Sequence, residues 1–314
     1  MKLKLLAASA VIALASGSAN AATGGGYIMD VTNLSSVTLN LGGAGGVGSV
    51  PVGGSSSLLA PLPSFGTFDI VVNGLGSMTA VQQQAFTDAE AFWEATFSGY
   101  RSAIPAAAIP ALVIDASIVA IDGAGGVLGQ AGATNAQGDG TFVTPDAGIM
   151  QFDSADVANL IGNGSFDDVI LHEMGHVMGF SNTVWQLNPT GITSGADTTY
   201  TGARGLAAYQ AEFNAGETFI PVEGDFGPGT AFSHWDEDLF FDHLATNGNS
   251  ANPELMTGFL DALPPTISQT TIFSYEDIGY VVNDQSAPPV PVPAAAPLLA
   301  VAIGGLMLVR RRAK

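Results

Sequence analysis

Residues 165–180 read Ser165-Phe-Asp-Asp-Val-Ile-Leu-His172-Glu173-Met-Gly-His176-Val-Met-Gly179-Phe180. Ser165 ahead of an apolar-periodic run predicts a helix N-terminus, with the helix continuing through Asp168 to Val177. His172 and His176 stand at i and i+4, so both imidazoles project from one face, one turn apart, within reach of a single Zn2+. Glu173 lies between them, angled to act as a base toward water rather than as a ligand. Ile170, Met174 and Val177 fall on the opposite face, which predicts a helix anchored by its apolar side with the histidines turned outward. The chain has four histidines, and two of them occupy this pattern. Two surface histidines flanking a glutamate by chance is the bland alternative.

Upstream, Thr79 stands three residues before Gln82, the spacing of a capping box. Behind it Ala85, Phe86, Ala89, Phe92, Trp93 and Phe97 recur at helical spacing and predict an amphipathic helix over about 80–98, its aromatic stripe in the core. The stretches 68–73, 111–122 and 148–153 read as strands, the last as a sheet edge, and 203–213 reads as a helix. Residues 37–41 alternate like a strand inside the Gly-rich stretch 22–62, which predicts a short β-hairpin or a loose arm. Strand, helix, strands and helix in this order give an α+β class, with a helix laid on a twisted mixed sheet and a loop-rich second half.

The 314 residues include no cysteine, which excludes disulfides, thiolate-held metals and a thiol nucleophile. Of the eight basic residues, Lys2, Lys4, Arg310, Arg311, Arg312 and Lys314 sit at the ends. Arg101 and Arg204 alone face 28 acidic residues in the body, a balance of −26 that repels nucleic acid and anionic membranes. Lys2 and Lys4, an apolar run over 5–15 and Ala19-Asn20-Ala21 describe a secretory signal peptide over 1–21. At the other end, Pro288-Pro-Val-Pro-Val-Pro293 is stiff and extended, and 294–309 is apolar and uncharged ahead of the terminal arginines. This tail resembles the PEP-CTERM sorting signals that exosortases process in Gram-negative bacteria, with Val292 where the nearest variant has Leu. The resemblance implies transient contact with the inner membrane, an exosortase-type partner, cleavage near 290–294 and display or release outside. A permanent tail anchor is the alternative. The expected organisation is therefore 1–21 signal peptide, 22–62 arm, 63–180 N-terminal subdomain, 181–285 C-terminal subdomain, 286–293 linker and 294–314 sorting segment.

Gly179, three residues after His176, gives the form H-E-x-x-H-x-x-G, where glycine lets the chain turn off the helix. Three residues further on stands Asn182, so a third imidazole comes from elsewhere, and His234 and His243 remain. Glu212 is a carboxylate alternative. These segments, with Gly148-Ile-Met-Gln-Phe-Asp153, Gly227-Pro-Gly-Thr230, Ser233-His-Trp235, Glu254-Leu-Met-Thr-Gly258 and Tyr275-Glu-Asp-Ile-Gly-Tyr280, resemble the leishmanolysin-like zinc metallopeptidases, a metzincin family, over roughly residues 65–283 and in the family's order. The resemblance implies a metzincin-type zincin with His172, His176 and His234 as ligands of one Zn2+, Glu173 as catalytic base and Met256 in the turn beneath the metal. It implies hydrolysis of polypeptide substrates, and the sheet's edge strand, Gly148 to Asp153, is expected to bind them as an added strand. Lacking cysteine, the chain excludes the disulfides and cysteine-switch latency of eukaryotic members, and 236–253 is longer than the family's usual spacer. Acid-rich turns at Asp122-Gly123, Asp139-Gly140 and Asp167-Asp168 offer oxygens to Ca2+ without matching an EF-hand or a nonapeptide repeat. The rival function is a non-catalytic acidic matrix or biofilm protein with a structural metal site.

Overall fold

Thr79 opens the first long helix as the spacing predicts. Its hydroxyl accepts from the Gln82 amide at 3.4 Å, and the Gln82 side chain accepts from the Thr79 amide at 2.7 Å. Two N–H groups that a helix start leaves without partners are thereby satisfied. Helix α1 runs Ala80–Thr96, and the chain passes directly into a strand instead of continuing to 98.

The computed structural model describes residues 62–193, 198–213, 215–224, 226–227, 229–237, 254–260 and 265–283, and the backbone of short strands at 27–31, 38–41 and 290–291. The signal segment, the apolar tail 294–314, most of the linker 286–293 and His243 lie outside the described residues. Among the described residues no helix is long and apolar enough to cross a membrane.

The strands in chain order are β1 Tyr27–Val31, β2 Thr38–Leu41, β3 Ile70–Asn73, β4 Phe97–Tyr100, β5 Leu112–Val119, β6 Val127–Gly138, β7 Val143–Asp153, β8 Thr199–Tyr200, β9 Ile220–Pro221, β10 Phe259–Leu260, β11 Thr266–Ile267, β12 Tyr280–Val282 and β13 Val290–Pro291. The remaining helices are α2 Ala103–Ala108, α3 Val157–Asn163, α4 Phe166–Val177, α5 Asn182–Gln186, α6 Ala203–Glu212 and α7 Gln269–Ser274. The main sheet is mixed, in the order β10-β1-β6-β7-β5-β3, with β2 also on β6. The α+β class and the mixed sheet agree with the sequence reading. Two strand expectations do not. Residues 148–153 belong to β7, which is an interior strand, antiparallel to β6 and parallel to β5. The bordering strand β6 is Gly- and Ala-rich and carries a weak period-2 signal, so apolar patterning alone passes over it. Nor do β1 and β2 form a hairpin: each pairs in parallel with β6.

Helices α1 and α4 lie together against the sheet. Trp93 of α1 donates its indole N–H to the Leu171 carbonyl of α4 at 3.3 Å, and Phe152 of β7 meets Phe86 and Phe166 edge-on. The C-terminal part closes over the other side of α4. Tyr275 donates to the Gly175 carbonyl at 2.9 Å and Tyr280 to the Met178 carbonyl at 3.0 Å. Strand β12 pairs with β4, so residues 280–282 return to the strand that follows α1. Helix α4 is therefore enclosed on both sides, and its histidines are buried rather than turned outward. Ser165 stands at the N-cap position without a side-chain cap bond: its backbone is helical (φ −106°, ψ 0°) where a capping residue is extended, and its hydroxyl donates to Asn163 Oδ1 at 2.7 Å.

The closeness of α4 to the sheet depends on Gly148 of β7. A Cβ there would lie 2.4 Å from Val177 Cγ1 and 2.7 Å from the Gly132 carbonyl oxygen, far inside contact distance. Gly148→Ala is therefore expected to lower stability by about 1–3 kcal/mol, as overpacking does. Urea unfolding checks it: the midpoint should fall at unchanged slope, and an unchanged midpoint contradicts the packing described.

Candidate metal centre

Two turns of α4 deliver the first two imidazoles. His172 and His176 bring their Nε2 atoms to 2.8 Å of each other. Gly179 adopts φ +112°, a backbone that residues with a Cβ rarely take, and reverses the chain directly after the helix. The reversal points the Phe180 carbonyl back at His176, whose Nδ1–H donates to it at 2.6 Å.

The third imidazole comes from the loop 229–236. The Ala231 amide donates to the Gly227 carbonyl and the Phe232 amide to the Glu223 carbonyl at 2.7 Å, while the Glu223 amide donates back to the His234 carbonyl at 2.9 Å. His234 Nε2 lies 3.2 Å from that of His172 and 3.1 Å from that of His176, and its Nδ1–H donates to the Thr230 carbonyl at 2.8 Å. His172 is oriented in the same way, its Nδ1–H donating to the Leu255 carbonyl at 2.6 Å. Each ring thus uses Nδ1 as donor, and a neutral imidazole then carries its lone pair on Nε2. Burial holds His172 and His176 well below the ordinary histidine range and pushes His234 down to about 4, so all three rings are neutral near pH 7.

Three lone pairs facing one another at about 3 Å repel unless a cation sits among them. Ligands at ~2.0 Å from Zn2+ in tetrahedral geometry stand roughly 3.3 Å apart, close to the spacing found. Neutral imidazoles, each fixed by a carbonyl behind it, make a donor set suited to a transition metal such as zinc. Among the described residues this is the one group of three or more His, Cys, Asp or Glu side chains able to hold a metal ion.

Glu173 is fully buried on the same helix, between the two histidines. Its carboxylate packs against β6 where Gly129 has no side chain: a Cβ at Gly129 would stand 2.8 Å from Glu173 Oε1. Beneath the site, Met256 is fully buried against Gly175, where a Cβ would lie 3.0 Å from Met256 Sδ and 2.8 Å from the Tyr275 hydroxyl. Gly175 and Gly129 are the site residues that sequence reasoning passed over. The glycine inside the H-E-x-x-H motif was the available signal for the first, and Gly129 left none.

Other candidates are placed elsewhere. Glu212 accepts from the Gln269 and Thr270 amides and from the Thr270 hydroxyl at 3.0–3.3 Å, capping α7, and is not in the imidazole group. Asn182 begins α5. Asp122 accepts from the Val127 amide and Asp139 from the Thr141 and Phe142 amides, so these acids organise backbone turns. Asp167 and Asp168 lie in the first turn of α4, with burial pushing Asp168 up to about 7. Compared with known proteins, the chain matches no family model, and no curated protein matches it.

His234→Ala leaves two imidazoles, which hold an ion poorly. The metal content of the purified protein, about one zinc per chain expected for the wild type, should fall to a small fraction. Full retention by the variant would remove His234 from the ligand set.

Proposed function

We propose that the chain is a zinc-dependent metalloendopeptidase of the metzincin type that hydrolyses peptide bonds in polypeptides. The observation that carries this reading is the convergence of His172, His176 and His234 at 2.8–3.2 Å with Glu173 between two of them on one helix. Met256, buried against Gly175 of α4 in the turn whose Leu255 carbonyl holds His172, supports the metzincin architecture in particular. A zinc ion held by the three histidines would supply Lewis acidity, polarising a carbonyl and lowering the pKa of water toward ~7.

The chain's own residues do the rest. Glu173 accepts a proton from the attacking water and returns it to the departing amine, one carboxylate serving as base and then as acid. Its burial keeps bulk water from competing for that proton. The side-chain-free surface of Gly129 holds the carboxylate against β6, and the closely packed Gly148–Val177 contact fixes the helix that carries it. Nδ1 hydrogen bonds hold each imidazole in one tautomer and orientation.

A polypeptide is the substrate that fits a sheet margin. The extended segment 27–31 pairs in parallel with β6 and antiparallel with β10, so the strip beside Gly129 accepts a strand with backbone bonds on both sides. That mode of addition supports binding of an extended chain by β-augmentation. The same proposal has the protein exported, with 294–314 as a transient inner-membrane segment removed by a sorting enzyme.

Glu173→Gln tests the chemistry. The purified variant should retain about one zinc per chain while casein hydrolysis falls by roughly 10²–10⁴-fold, the range for loss of a general base. Equal cleavage by wild type and variant contradicts the mechanism, and absence of cleavage by a zinc-loaded wild type favours a structural metal in an acidic matrix protein. Removal of residues 22–61 tests the substrate strip. Vacating the margin of β6 should raise kcat/KM for an unfolded protein substrate, whereas an unchanged value would show that the arm lies outside the substrate's path.

A further inference from the structure

Glu254 is a buried carboxylate, 3% exposed, that touches no imidazole of the site. Its Oε2 accepts from the Met256 amide at 2.5 Å. Its Oε1 accepts from the Ser268 amide and hydroxyl, each at 3.0 Å, and from the Thr271 hydroxyl at 2.5 Å. Both oxygens are thus occupied by donors from two separate segments.

These contacts lead to two of the three histidines. On one side, the Met256 amide bond folds 254–257 into a turn, closed also by the Thr257 hydroxyl donating to the Glu254 carbonyl at 2.8 Å. The turn exposes the Leu255 carbonyl, the acceptor of His172 Nδ1–H at 2.6 Å. On the other side, Thr271 Oγ1 accepts from the Trp235 indole N–H at 2.7 Å, and the Trp235 amide donates to the Met256 carbonyl at 3.0 Å. Trp235 directly follows His234 and is packed between Phe180 and Trp185, at ring-centroid distances of 4.9 and 5.6 Å. One carboxylate therefore joins the backing of His172 to the segment that carries His234.

We propose that Glu254 is a positioning residue of the metal centre, setting His172 and His234 at their mutual distance through the turn 254–257 and the Thr271–Trp235 link. The proposal rests on the reading of the three histidines as a metal site. Its chemistry requires a carboxylate. Each oxygen faces a backbone N–H that can only donate, the Met256 amide on Oε2 and the Ser268 amide on Oε1, while the two hydroxyls, 3.2 Å apart, add to Oε1. A carboxylate accepts at both oxygens, whereas an amide would turn an NH2 toward donors on one side or the other. The isosteric change is thus expected to release either the turn or the Thr271–Trp235 link, leaving buried donors unmatched.

The test uses the full chain and compares Glu254→Gln with Asp277→Asn. Asp277 is an equally buried acid, bonded to Tyr200, Arg204 and Gly205 at 2.8–3.0 Å, with no hydrogen bond to the imidazoles or to the turns behind them; Tyr200 reaches Trp235 by ring contact alone, 5.5 Å between centroids. Zinc dissociation constants come from chelator competition, and ligand geometry from the d–d absorption of the Co2+-substituted protein. Glu254→Gln should weaken zinc binding by about 10–100-fold, as loss of a group supporting a ligand does, and alter the Co2+ bands. Asp277→Asn should lower the melting temperature while leaving both metal readouts unchanged. Should Glu254→Gln fail to fold, Thr271→Val cuts only the link toward Trp235, and a smaller change in the same direction is expected. Metal readouts equal to wild type in Glu254→Gln, or in Thr271→Val where the first does not fold, overturn the proposal, as does an equal loss in Asp277→Asn. A wild type that binds neither ion overturns the metal-site reading instead.

Discussion

Three imidazole ε-nitrogens, drawn from positions 172, 176 and 234, meet at 2.8–3.2 Å with each ring's other nitrogen bonded to a backbone carbonyl. Every other feature of the molecule's centre serves that convergence. Neutral nitrogens crowd together in the dry interior only where a cation compensates their lone pairs, so the arrangement carries an electrostatic demand. The carbonyls that hold the three Nδ1–H groups, and so aim the Nε2 lone pairs at one another, come from the turn after α4, from residue 230 and from the turn at 254–257. Segments far apart in sequence must therefore close on one another before the site exists.

Glycines set how closely those segments approach. Gly148 lets α4 rest on the sheet, Gly175 admits Met256 and Tyr275 beneath the helix, and Gly129 leaves room for the Glu173 carboxylate against β6. The two cations of the body are used in the same enclosure. Arg101 donates to the Glu276 carbonyl at 2.9 Å, and Arg204 pairs with the Glu276 carboxylate at 2.5 Å. Both hold the segment that presents Tyr275 to the back of α4. An acidic surface and two half-buried, directed cations are thus compatible parts of one design: charge repulsion is left to the exterior, and pairing is kept where the second half must dock.

Local signals were legible in the sequence, and contacts between distant backbone groups were not. The capping box at Thr79, the aromatic stripe of α1, the extent of α4 and the turn at Gly179 follow from side-chain spacing, and the structure has each of them. His234 beside Trp235 was readable through family resemblance, and the structure brings it to the other two histidines. The outward orientation expected for the histidines failed because helical periodicity sees one apolar face and has no knowledge of a second layer arriving from residues 254–280. The interior position of β7 was missed for a related reason: β6, rich in Gly and Ala, carries a weak period-2 pattern although it pairs along most of its length. Carbonyl acceptors such as Leu255 and Thr230 have no side-chain signature at all. Glu254 is the instructive case, since it was legible only as part of the Glu-Leu-Met-Thr-Gly resemblance, and its four donors are defined only by the fold.

The most direct test of this account is the zinc-edge X-ray absorption fine structure of the protein purified with its native metal. The account predicts one zinc per chain and a first shell of three imidazole nitrogens at about 2.0 Å with one further light-atom ligand. A shell built of carboxylate oxygens, a shell with fewer than three imidazoles, or a protein that carries no zinc would contradict it.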